Sequence, residues 1–147
     1  MRLKLDVYSG RLKLHGEEHP QTLIAASNYS ASLFHLQRIE EAKALLRKVT
    51  PVTRRVLGDN HEFTIKMRAT YAQTLYKADG ATLGDLREAV TTLEELERTA
   101  RRVFGGAYPT TSSLVKSLED ARAALIAREA EATEAAAQNA FLSLIHI

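Results

Sequence analysis

Apolar and small residues recur at helical spacing along most of this chain. Leu23, Ala26, Tyr29, Ser30 and Leu33 form one such stripe and predict a helix over about 20–36. After a turn at Gln37-Arg38, the stripe resumes with Ile39, Ala42, Leu45, Leu46 and Val49. Glu40, Glu41, Lys43, Arg47 and Lys48 lie on the opposite, solvated face. Ile65, Tyr71, Ala72 and Leu75 predict a helix near 62–78, and Leu86, Ala89, Leu93 and Leu96 one over about 85–104. Val115, Leu118, Ala121 and Leu125 carry a last stripe that begins at Pro109. Leu3, Val7 and Leu14 keep the spacing through residues 1–15, which read as the end of a preceding helix despite Gly10. Pro51 conflicts with the pattern, because a proline inside a helix costs about 3 kcal/mol. The helix is therefore expected to kink there, or to stop near Val49 and restart with Thr50 as N-cap. From Glu129 to Ala137 the chain is rich in Ala and Glu with almost no large apolar residue. That segment reads as an exposed helical extension, frayed towards its end.

The stripes are punctuated by a repeated motif. Gly16-Glu17-Glu18-His19-Pro20-Gln21-Thr22-Leu23 returns as Gly58-Asp59-Asn60-His61-Glu62-Phe63-Thr64-Ile65, and more weakly as Gly105-Gly106-Ala107-Tyr108-Pro109-Thr110-Thr111-Ser112. The first two copies are 42 residues apart and the next two 47, so the second unit carries five extra residues, expected in the turn 78–85. A fixed period of this size marks a repeat array, in which each unit buries its apolar face against its neighbours. In each copy the Gly suits a helix C-terminus, and Pro20 suits the first position of the next helix. The expected organisation is the end of a preceding repeat helix at 1–15, repeat 1 at 16–57, repeat 2 at 58–104 and a partial repeat at 105–141. The fold class is all-α, a helical-hairpin solenoid of about seven helices. Residues 142–147, Leu-Ser-Leu-Ile-His-Ile, resemble a translated sequencing-library adapter and read as a non-native tail.

Composition narrows the function. Of 147 residues, 45% are hydrophobic and 26% charged, with a net charge of only +2. Nothing in this balance points to nucleic acid, and no stretch approaches the roughly 20 apolar residues of a membrane span. Cysteine is absent, which removes disulfides and thiolate metal sites and fits a reducing, cytoplasmic setting.

Two motifs invite chemical readings. His15-Gly16-Glu17-Glu18-His19 matches the H-x-x-E-H pattern of some zinc peptidases. That chemistry needs both histidines on one unbroken helix, whereas the repeat ends a helix at Gly16. His19 and His61 are therefore expected to be cap and packing residues. Arg54-Arg55 and Arg101-Arg102 precede the second and third glycines, where basic residues complement the helix macrodipole. No nucleophile–base pair or phosphate loop stands out, so a non-catalytic chain without cofactor or metal is expected.

Leu57-Gly58-Asp59-Asn60-His61 and the stretch from Gly16 to Leu23, followed by Asn28, Leu33 and Arg38-Ile39-Glu40-Glu41-Ala42, resemble the tetratricopeptide repeats of kinesin light chains over about residues 16–125. The sequence departs from that pattern at Glu62 in place of Pro, at Tyr108 in place of His, and at Pro51. It also lacks the heptad coiled coil of a complete light chain. The resemblance implies a protein- or peptide-binding scaffold module whose first helix of each pair lines a concave groove. It places Ile24, Ser27, Asn28, Ala31 and His35 there, then Lys66, Thr70, Gln73 and Lys77, then Ser113, Lys116, Ser117 and Asp120. Asn28 would hold a peptide backbone, since an amide both donates and accepts. Lys66, Lys77 and Lys116 would favour an acidic partner. The alternative is a structural spacer or oligomerisation segment of a larger signalling protein.

Overall fold

A computed structural model describes residues 2–146. Met1 and Ile147, the outermost residues of the segments 1–15 and 142–147, lie outside the described residues. The described chain is all-helical: α1 (Arg2–His15), α2 (Pro20–His35), α3 (Ile39–Leu57), α4 (Glu62–Lys77), α5 (Leu83–Phe104) and α6 (Pro109–Ile145). Six helices form among the described residues, where about seven were expected. Pro51 accounts for the difference, because α3 runs through it without a restart at Thr50. The proline is exposed while Val49 and Thr53 on either side are buried. Tertiary packing of the amphipathic face outweighs the one missing hydrogen bond. α6 runs helical to Ile145 with its outer part fully exposed, as an extension.

The five extra residues of the second unit do not all sit in a turn. The loop between α4 and α5 is two residues longer than that between α2 and α3, and α5 is three residues longer than α3. The cause is a capping box: Thr82 Oγ1 accepts from Asp85 N–H and the Asp85 carboxylate accepts from Thr82 N–H, at 3.0 Å each. That box starts α5 at Leu83, two residues earlier than the apolar stripe suggests.

The turns between units repeat closely. His19 and His61 are N-caps, with Nδ1 accepting from the backbone N–H of Gln21 and Phe63 at 3.1 Å. Gly58 adopts φ 87 and ψ 161, a region that only glycine enters without strain. A Cβ there would meet nothing within 4 Å, so the backbone angle and not crowding demands glycine. The second arginine of each pair reaches back one unit: Arg55 pairs with Glu18, and Arg102 donates to Asn60 Oδ1 at 3.4 Å. These exposed contacts each contribute little, about 0–1 kcal/mol, but they tie successive turns together.

Each helix packs on its neighbour in the chain, and α4 also packs on both α2 and α6. Among the described residues α3 and α5 make no close backbone approach, so α4 with α2 and α6 on either side forms the closed layer. Ala42 and Ala89, equivalent positions of the two units, have no exposed surface. The repeated threonines Thr22, Thr64 and Thr111 are all buried, and Thr22 donates to the Arg11 carbonyl of α1 at 3.1 Å. Leu3, Val7 and Leu14 of α1 are exposed.

Replacing Ala42 or Ala89 by Leu overpacks these helix pairs and is expected to cost about 1–3 kcal/mol. Unchanged urea midpoints in both variants would refute this helix register. Deleting residues 142–147, of which 142–146 are exposed, is expected to leave the melting temperature unchanged, and a loss of several degrees by thermal circular dichroism would show that the segment docks.

Candidate functional site

The closed layer carries a groove of about 390 Å³. Ser27, Asn28, Ala31 and His35 line it from α2, Phe63, Lys66, Ala69, Thr70 and Gln73 from α4, and Thr110, Ser113, Leu114 and Ser117 from α6. The lining comes from the second half of α2, the body of α4 and the first half of α6. The groove thus crosses the three helices diagonally. This diagonal decides which expected residues it gathers. Asn28, Lys66, Thr70 and Gln73 line it, as do Ser27, Ala31, His35, Ser113 and Ser117. Ile24, Asp120, Lys77 and Lys116 fall outside the lining. Lys77 sits at the end of α4 with its ammonium 5.3 Å from the Phe34 ring and 5.9 Å from that of Tyr76. Lys116 is exposed on α6. The basic character expected from three lysines therefore reduces to Lys66 within the lining.

Lys66 is itself partnered. Its Nζ lies 3.2 Å from Glu62 Oε1, one helical turn away, and 5.7 Å from the Phe63 ring. Thr70 Oγ1 donates to the Lys66 carbonyl at 2.9 Å, and Gln73 Nε2 donates to Ser117 Oγ at 2.9 Å, joining α4 to α6 across the floor. Asn28 is exposed and makes no side-chain hydrogen bond among the described residues. Its amide is left to donate and accept towards the groove.

Glu62 borders the groove and was singled out from sequence only as a departure from the repeat pattern. Its carboxylate accepts from Tyr108 OH at 2.8 Å and from Thr110 Oγ1 at 2.9 Å. Tyr108 likewise stands where the first two units have a capping histidine, and it makes no side-chain cap bond. Its phenol instead reaches Glu62, and its ring stacks on Phe104 at 4.7 Å between centroids. The two departures compensate each other. The pairing lies 46 residues apart in the chain and carries no periodic signal, so it was not legible beforehand. The Tyr108 hydrogen bond, then those of Thr110 and Lys66, hold the Glu62 carboxyl below its ordinary value against the opposing effect of burial.

Of the two histidines of His15-x-x-Glu18-His19, the first ends α1 and the second is the extended N-cap of α2, with Gly16 at φ 84 between them. Their rings stack at 4.3 Å, and His19 Nδ1 is engaged as a cap. The one-helix geometry that the zinc pattern needs is not formed. Among the described residues no three His, Cys, Asp or Glu side chains are placed to hold a metal ion, and no helix is long and apolar enough to cross a membrane. No protein-family model matches this chain, and no curated protein matches it.

A carboxylate whose folded pKa is depressed adds stability above its unfolded pKa and loses it as pH falls through the folded value. Wild type is therefore expected to melt higher than Glu62→Gln at neutral pH, with the gap closing as the solution is acidified through and below the usual carboxylate range. A gap independent of pH would show that the Glu62 charge has no such role. Tyr108→Phe should remove most of the same difference in a double-mutant cycle.

Proposed function

We propose that this chain is a tetratricopeptide-type helical-hairpin array of the kinesin light chain-like kind, working as a non-catalytic scaffold module in the cytoplasm. In this reading the groove across α2, α4 and α6 holds an extended segment of a partner protein. The observation that carries it is the groove's inventory of hydrogen-bonding groups. Asn28 is uncommitted, while Thr70, Gln73 and Ser117 are already fixed by bonds within the array. Such a surface suits the backbone of an extended peptide, whose amides need both donors and acceptors. The preference for an acidic segment rests on Lys66, whose exchange from Glu62 to a peptide carboxylate would be a local rearrangement.

The alternative role, a spacer or oligomerisation segment of a larger signalling protein, draws on the exposed apolar residues Leu3 and Leu14 of α1 and Phe141 and Leu144 of α6. Peptide-library capture on the immobilised chain separates the two roles, since a spacer selects no sequence.

For a captured peptide, Asn28→Ala is expected to weaken binding by about 1 kcal/mol at any ionic strength, the worth of a neutral hydrogen bond. Lys66→Glu is expected to weaken an acidic peptide strongly at low salt and less at high salt, because exposed charge is screened over roughly 8 Å at physiological strength. Lys77→Glu and Lys116→Glu should act far less than Lys66→Glu. Circular dichroism must remain unchanged in each variant. A partner whose affinity ignores both Asn28 and Lys66 would remove the groove assignment.

A further inference from the structure

On the opposite side of α4 the structure forms a larger cleft, of about 640 Å³. It opens because α3 and α5 both pack on α4 and make no close backbone approach to each other. Four guanidinium groups line it, those of Arg47, Arg54 and Arg55 on α3 and Arg68 on α4, against one carboxylate, Glu88 on α5. The side chain of Arg68 is only 13% exposed and forms part of the floor. Beside it, Tyr71 OH accepts from Arg47 Nε at 3.3 Å.

The wall of α3 also carries hydrogen-bonding capacity that the fold does not use. Thr50 lines the cleft, while its Oγ1 is buried out of reach of solvent and has no hydrogen-bond partner. Pro51, next to it in the lining, has no N–H to give the Arg47 carbonyl. Proline within this helix and an unsatisfied hydroxyl beside it both cost stability, and they occur together on the cleft wall.

Three of the arginines have carboxylate partners outside the lining. Arg54 Nε lies 2.7 Å from Asp59 Oδ1, Arg68 is paired with Glu95 at 3.2 and 3.3 Å, and Arg55 is paired with Glu18. Each pair engages one or two of a guanidinium's five N–H donors and restricts its rotation. Arg47 has no carboxylate within ion-pair distance among the described residues; it is hydrogen-bonded to Tyr71, with Glu40 and Glu88 acting on it from farther away. Arg47 and Arg54 stand seven residues apart on α3, about 10 Å along its axis at 1.5 Å per residue.

We propose that this outer cleft is an oxyanion site, distinct from the inner groove, for a small molecule bearing at least two phosphate or carboxylate groups. Guanidinium forks bind planar pairs of anionic oxygens, and the two ends of the α3 stripe hold separate groups. The volume falls in the range of small-molecule sites, about 300–1,000 Å³.

Isothermal titration calorimetry of the whole chain at low salt, with tripolyphosphate in one arm and citrate in the other, tests this. Saturable one-site binding in either arm supports the site and tells a phosphate source from a carboxylate one. Arg47→Gln with Arg54→Gln should weaken that binding at least about tenfold, and Arg47→Gln alone about two- to tenfold, as expected for charge-assisted hydrogen bonds. Lys13→Gln on α1 and Asn28→Ala in the groove should leave it unchanged. If the double variant fails to fold, Arg47→Gln alone and the shifts of the arginine Nε–H resonances of wild type on titration decide the matter. Absence of saturable binding in both arms overturns the proposal. So does an equal loss in Lys13→Gln, which would mean diffuse charge, or a loss in Asn28→Ala, which would put the ligand in the groove.

Discussion

Close approach of helix backbones is the constraint on which this structure depends. Ala26, Ala42, Ala72, Ala89, Ala100 and Ala121 have no exposed surface, and larger side chains at these positions would hold the helices apart. The alanines space the layers, and the leucines Leu23, Leu33, Leu46, Leu93, Leu96 and Leu114 fill between them. Equivalent positions keep the rule where the residue changes: Ser30 stands for Ala72, and Thr53 for Ala100, all of them buried. Each hydroxyl is satisfied within its own helix, Ser30 on the Ser27 carbonyl and Thr53 on the Val49 carbonyl, at 2.9 Å in both cases. A small residue can thus be polar here without demanding a partner from across the interface.

The turns add direction to this spacing. At each junction between units a helix ends at a glycine whose backbone angles exclude other residues, and the next begins after a residue three positions later. In the third unit the cap is lost, since tyrosine replaces histidine. The phenol and the unusual Glu62 of the preceding unit then make a longer-range bond. The junction keeps its connection through a contact between units, where the first two junctions rely on a cap within one unit. This is a physical account of two sequence departures that look unrelated in one dimension.

Much of the fold was legible because it is periodic. The stripes, the positions of Ala42 and Ala89, and the capping histidines all follow from spacing read along a single helix. What escaped was set by competition or by three-dimensional offset. Pro51 was read by its local cost, and the buried stripe through Val49 and Thr53 prevailed over it. The insertion was assigned to a turn because the Thr82–Asp85 capping box, two residues ahead of the stripe, was not recognised. The groove was read by carrying repeat positions from one helix to the next. The groove's lining runs diagonally, taking in Phe63 and Thr110 and leaving Lys77 and Lys116 outside it. The arginine pairs were read as complements to a helix end. Their reach to Glu18 and Asn60 became visible only with neighbouring turns in place, and so did the convergence of Arg47, Arg54, Arg55 and Arg68.

The packing list has a further implication for how the molecule holds together. Among the described residues every helix-to-helix interface between the set α1–α3 and the pair α5–α6 involves α4. Its inner face bears Lys66, Thr70 and Gln73, and its outer face Arg68 and Tyr71. In mechanical terms α4 is the axle of the array. The groove and the cleft are the spaces on its two sides, and the two halves of the protein are joined by what this single helix packs against.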